Sequence, residues 1–209
     1  MTALLRRPAA VLFATLVLAA NPAFAHHPMG GGRPSNFFEG FLSGLGHPLI
    51  GIDHLAFLIA VGVVVGIAGL NLVLPLVFVG MSAVGVLMHV KGLNIPAVEV
   101  LVAGSVILVG AMLAYGARIM PLAWGALFAL AGLFHGYAYG EAVAAAEAAP
   151  IGAYLLGLVI IQGAIVTAIA YAMQKTTSAT AAIAPRLTGA LVAGIGLAAL
   201  AQQVLPSAG

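Results

Sequence analysis

The stretch HPLIGIDHLAFLIAVGVVVGI, residues 47–67, decides the fold. From Pro48 to Ile67 it is apolar except at Asp53 and His54, and its length matches the ~20 residues needed to cross a hydrocarbon core. Runs of similar length recur downstream at Leu72–Val90, Pro96–Tyr115, Met120–Ala138, Ile151–Met173 and Pro185–Leu205. Turn-forming segments separate them: Gly69-Leu70-Asn71, Lys91-Gly92-Leu93-Asn94, Gly116 with Arg118, Gly140 to Pro150, and Lys175 to Ala184. The pattern predicts an all-α, polytopic membrane bundle of six transmembrane helices.

Composition agrees. Only 6% of residues are charged and 63% are hydrophobic, whereas a soluble domain carries roughly a quarter charged residues. Lipid must therefore solvate most of the chain. The net charge of +2 comes from scattered residues, which excludes the clustered basic footprint of a nucleic-acid binder. There is no cysteine, so any metal must be held by His, carboxylate, Met, backbone or water. No HExxH motif or persuasive Ser/His pair is present, and no enzymatic activity is expected. Glycine is abundant at 27 residues. Several lie inside spans, among them Gly62 and Gly66, Gly80 and Gly85, and Gly132 and Gly136, where small residues let helices approach closely.

Ahead of the bundle, Arg6 and Arg7 precede the apolar stretch Val11–Ala20 and the small-x-small site Ala23-Phe24-Ala25. This is the layout of a signal peptide cleaved after Ala25. The expected organisation is a signal peptide (1–25), a periplasmic N-terminal segment (26–47), a six-helix permease domain (48–205) and a C-terminal tail (206–209). With the mature N-terminus periplasmic and the bundle in the bacterial cytoplasmic membrane, the loops near Asn71, Arg118 and Lys175–Arg186 face the cytoplasm. They hold Arg118, Lys175 and Arg186, a bias of the expected sign.

Ionisable residues within a span are costly and mark function by default. Asp53 and His54 lie early in the first span, His89 ends the second, Glu99 opens the third and His135 comes late in the fourth. His47 stands at the mouth of the first span, and Glu141 lies just past the fourth. In the expected topology all of them fall in the outer half of the membrane, as at an entrance. Pro48 suits a first helical turn, which places His47 at the N-cap. On a continuous helix His47 and His54 then share a face, with Gly51 between them leaving room for a ligand or a neighbouring helix. Asp53 would bind an ion directly or orient an imidazole. Imidazole with carboxylate suits nickel, cobalt, zinc and copper(II) alike. His89 reads equally as an interfacial residue, Glu99 as a complement to its helix dipole, and His26 and His27 as a solvated tail or a chelating terminus.

Two motifs carry a family resemblance. His47-Pro48-Leu49-Ile50-Gly51-Ile52-Asp53-His54 resembles the HPxxGxDH signature of the HupE/UreJ family of nickel/cobalt permeases. Phe134-His135-Gly136-Tyr137-Ala138-Tyr139-Gly140-Glu141 is similar to that family's FHGxAHG-type motif, with Tyr139 where many members carry a second His. The resemblance implies His47, Asp53, His54 and His135 as metal-handling residues; His89, Glu99, Glu141, His26 and His27 are further candidates from their position and chemistry alone. It implies Ni²⁺ or Co²⁺ as transported substrate, with no required cofactor. The lipid bilayer is the setting, and the implied intracellular partner is a metallochaperone of hydrogenase, urease or cobalamin pathways. The alternative function is a haem-binding, cytochrome b-type subunit using intramembrane His pairs.

Overall fold

The computed structural model describes residues 33–176 and 183–205. The expected signal peptide, His26 and His27, part of the Lys175–Ala184 loop and the C-terminal tail lie outside the described residues. Among the described residues, seven α-helices follow one another: α1 Phe37–Ile50, α2 Ile52–Ile67, α3 Pro75–Val90, α4 Val98–Tyr115, α5 Pro121–Tyr139, α6 Ala148–Lys175 and α7 Ala184–Val204. A 3₁₀ turn, Gly140–Val143, extends α5. There is no strand among the described residues.

The helix α1 begins where the side chain of Asn36 accepts from Glu39 N–H at 3.0 Å. The Glu39 carboxylate reaches back to Ser35 N–H and Oγ at 2.7 and 2.8 Å. Such reciprocal bonds satisfy amides that a helix start leaves orphaned. Residues 37–47, read from the sequence as lying ahead of the bundle, thus form a helix, and α1 packs along α6.

The first expected span is not one helix. Pro48 sits inside α1, Gly51 is extended (φ −73°, ψ 104°), and α2 starts at Ile52. The chain turns by 78° at this break. Proline lacks the N–H that continues a helix, so the ladder is already weakened one turn before Gly51. His47 consequently lies in the last turn of α1, and the N-cap of α2 is Gly51. A Cβ on Gly51 would come within 2.7 Å of His54 Cδ2. The space expected there for a ligand belongs to the His54 ring itself.

Among the described residues, four helices have the length and hydropathy to cross a membrane: α4, α5 with its 3₁₀ extension, α6 and α7. The bent pair α1–α2 passes that test only when taken together, and α3, at 16 residues, is shorter. At 1.5 Å per residue α3 is about 24 Å long, because Leu72–Leu74, expected within the span, form a turn. Other expected breaks are sharp: Gly69, Gly92 and Gly116 adopt φ of 61°, 74° and 70°. Glycine has no Cβ to oppose that left-handed conformation.

Helix α2 runs through the middle of the bundle, with Phe57, Leu58, Ala60, Val61 and Val65 fully buried. A helix apolar all round must be enclosed or face lipid, and α2 is enclosed by α4, α6 and α7. Around it α3 pairs with α5, α4 with α7 and α1 with α6. Glycines make these pairs close. A Cβ on Gly136 would strike the Ser82 carbonyl, one on Gly44 the Tyr154 carbonyl, and one on Gly110 the Ala193 amide. Gly62, Gly66, Gly85 and Gly132 also sit at contacts, whereas Gly80 has nothing within 4 Å. Leu122, Leu130, Leu187 and Leu197 are exposed on the outer surface, which suits lipid as solvent.

The loops expected to face the cytoplasm gather at one end. Gln174 Nε2 donates to Leu70 O at 2.8 Å, and the Arg186 guanidinium lies beside Gly116. His47, His89 and the 3₁₀ turn lie at the opposite end.

Candidate metal centre

Three histidines converge from three helices. His47 (last turn of α1), His54 (first turn of α2) and His135 (α5) are almost wholly buried, with exposures of 2%, 0% and 0%. The His47 and His54 rings lie 6.2 Å apart between centroids, and those of His54 and His135 lie 5.0 Å apart. The bend at Gly51, rather than a shared helix face, brings His47 beside His54. Tyr139 is also fully buried. Its ring is 4.3 Å from His54 and 5.0 Å from His47. Phe57 and Phe78 close over His135 at 4.5 and 5.6 Å.

Counting protons assigns the tautomers of the neutral rings. The single hydroxyl proton of Ser105 goes to Val102 O at 2.7 Å, because a carbonyl can only accept. Ser105 Oγ then accepts from His135 Nε2–H at 2.9 Å. His135 Nδ1 is left as the acceptor, and His54 Nδ1–H donates to it at 2.8 Å. His54 therefore carries its lone pair on Nε2. The same argument holds for His47. The Tyr154 hydroxyl donates to Tyr139 O at 2.9 Å, so His47 Nδ1–H donates to the Tyr154 oxygen at 2.8 Å. Its lone pair is likewise on Nε2. Two imidazoles thus have Nδ1–H tied to a partner and Nε2 in the form that binds metal, the arrangement that orients histidine ligands.

Asp53 is half-buried in the first turn of α2, and its Oδ1 accepts from His54 N–H at 2.9 Å. No three His, Asp or Glu side chains among the described residues stand close enough together to hold a metal ion as they are. Ion binding at these residues would therefore require the helices to shift or water to enter. The geometry does not suit a haem either. His54 and His135 touch through a hydrogen bond, and Tyr139 lies against both His47 and His54, so neither pair brackets a macrocycle.

The remaining candidates lie elsewhere. His89 Nδ1–H donates to Tyr137 O at 2.9 Å and its ring packs on Tyr137 at 4.6 Å. Tyr137 donates to Leu93 O at 2.6 Å and accepts from Ile95 N–H at 3.2 Å. His89 thus helps tie the α3–α4 loop to the end of α5. Glu99 is half-buried in the first turn of α4, and Glu141 is exposed in the 3₁₀ turn. Sequence reasoning missed Tyr154, Ser105, Ser82 and Gln162. A polar side chain in the middle of an apolar run was the signal available.

The fold and site define a polytopic helical membrane protein with a buried His/Tyr cluster near one end of its bundle. The family model described as HupE / UreJ protein matches residues 14–199, and the chain belongs to that family, which is associated with nickel and cobalt uptake. One curated relative, Protein HupE of Rhizobium leguminosarum bv. viciae, is 30% identical over 128 residues. That match covers 60% of this chain and 64% of the relative, so it spans somewhat less than two thirds of the relative's length. No solved structure matches the chain.

Proposed function

We propose that the protein imports Ni²⁺ or Co²⁺ across the bacterial cytoplasmic membrane, entering from the periplasmic side at His47, His54, His135 and Asp53. The observation that carries this reading is the pair of anchored imidazoles, His47 and His54, each held through Nδ1–H in the tautomer that carries its lone pair on Nε2. Nickel and cobalt are well served by imidazole, and family membership points to the same ions. The cluster sits next to a tightly packed apolar region, so the ion is passed on only when the helices rearrange. The mature N-terminus lies outside, and the Arg118 and Lys175–Arg186 loops face the cytoplasm, as the distribution of basic residues favours.

The test is uptake of radioactive Ni²⁺ and Co²⁺ in cells lacking their own transporters, at matched membrane expression. Wild type is expected to accumulate one or both ions, and Asp53→Ala and His54→Ala to abolish the signal. Correctly inserted wild-type protein that moves neither ion would overturn the reading.

A further inference from the structure

Ser105 is the only polar side chain on α4 between Glu99 and Tyr115. A serine in a helix can satisfy itself by bonding a carbonyl one turn back, and Ser105 Oγ does so, donating to Val102 O at 2.7 Å. The same oxygen also lies 2.9 Å from His135 Nε2 on α5. His135 in turn meets His54 on α2, Nδ1 to Nδ1, at 2.8 Å. These groups form one hydrogen-bonded chain across α4, α5 and α2, and both imidazoles in it are fully buried. A chain of groups that can each donate or accept has two directions. Run one way, its protons sit on Ser105 Oγ, His135 Nε2 and His54 Nδ1. Run the other way, the same protons sit on Ser105 Oγ, His135 Nδ1 and His54 Nε2, with the hydroxyl turned toward His135. The Val102 carbonyl breaks the tie, because it has no proton to give. Its bond from Ser105 exists only in the first direction.

We propose that Ser105 is a positioning residue for metal capture: acting through His135, it holds the His54 lone pair on Nε2. The inference rests on the permease reading above. Which nitrogen of a histidine can take a metal is set by the bond that the other nitrogen makes. For His54 that bond runs to His135, so the choice is made one ring further on, by a hydroxyl on a different helix. His47 is served separately, through the Tyr154 hydroxyl to Tyr139 O. Each chain ends on a backbone carbonyl, and each therefore has one direction. In the conformation described both ring nitrogens of His135 are engaged within the protein, and its part is to pass the setting of Ser105 on to His54. Packing alone would be met by alanine at this position, which fills nearly the same space and cannot accept from His135.

The experiment uses the full chain in lipid bilayers with its histidines labelled in ¹⁵N, whose chemical shifts distinguish the tautomers of an imidazole. The same protein in proteoliposomes is read for equilibrium binding and influx of ⁶³Ni²⁺. Wild type is expected to hold His54 as Nδ1–H and His135 as Nε2–H. In Ser105→Ala neither direction is anchored, so His54 should divide between its tautomers. Ni²⁺ binding should weaken about 10–100-fold, as when the group that orients a ligand is lost. Ser105→Thr, which keeps a hydroxyl able to bond a carbonyl one turn back, should return both readouts toward wild type. His47 is the internal control and should stay as Nδ1–H in every variant. His54 remaining wholly Nδ1–H in Ser105→Ala, or Ni²⁺ binding within about twofold of wild type, would overturn the proposal. So would His47 changing together with His54, the sign of a loosened fold. A wild-type protein that neither binds nor moves Ni²⁺ would instead overturn the permease reading, while the tautomers would still decide whether Ser105 sets His54.

Discussion

Replacing Tyr154 by Phe removes a single oxygen and keeps the ring that packs 6.2 Å from His47. That oxygen makes two buried bonds, accepting from His47 Nδ1–H at 2.8 Å and donating to Tyr139 O at 2.9 Å. Its loss leaves a buried donor on His47 without the partner that fixes its tautomer. An orphaned buried polar group costs about 1–3 kcal/mol, and the Nε2–H tautomer, which cannot bind metal, becomes accessible. Losing the group that orients a histidine ligand typically weakens metal binding about 10–100-fold, or about 1.4–2.7 kcal/mol. The expected outcome is a KM for Ni²⁺ uptake raised by about that factor in Tyr154→Phe, with membrane expression preserved. The assay is saturation uptake in cells lacking their own transporters, with His47→Ala as the reference for complete loss. A KM within about twofold of wild type, alongside inactive His47→Ala, would refute the orientation argument.

Uptake should fall as pH drops from about 7.5 to 5, because an imidazole must be neutral to give its lone pair to the ion; a flat profile measured with constant free Ni²⁺ would count against histidine capture. In Gly136→Ala the new methyl meets the Ser82 backbone, an overpacking that should cost about 1–3 kcal/mol and lower the thermal stability of the detergent-solubilised protein. Ala97, the N-cap of α4, adopts φ 54°, a conformation that costs an L-residue about 1–2 kcal/mol. Ala97→Gly should therefore stabilise by about 0.5–1 kcal/mol after the entropy of glycine is allowed for, read as a rise in melting temperature.

The membrane class was legible because lipid tolerates few charges, and the histidines because each ionisable group in a span demands a reason. Gly69, Gly92 and Gly116 were legible as breaks for a steric reason. The turn at Gly51 was not. Hydropathy is continuous from Leu49 to Ile67 apart from Asp53 and His54, and Pro48 is as compatible with a first helical turn as with a last one. The hydroxyl and amide partners escaped for a different reason. Ser82 and Ser105 each bond a carbonyl three residues back, so neither looks costly in a span. Only tertiary packing shows that the same oxygens also face Gln162 and His135. Tyr154 escaped as well, since its hydroxyl gains a role only once the fold places it against His47 Nδ1 and Tyr139 O.

The apolar packing beneath the histidines bears on the energy economy of the membrane itself. Phe57 and Phe78 stack at 5.2 Å against His135, and Phe128 and Trp124 continue the seal along α5. A column of water through this bundle would short-circuit the proton gradient at every copy of the protein. Among the described residues, the fully buried Phe57, Phe78 and Phe128 fill this part of the interior. On the permease reading proposed above, each ion would be carried by a movement of helices, and the rate of that movement would set a ceiling on throughput. Such a ceiling suits an ion needed in trace amounts, and a cell can hold many copies without draining its gradient.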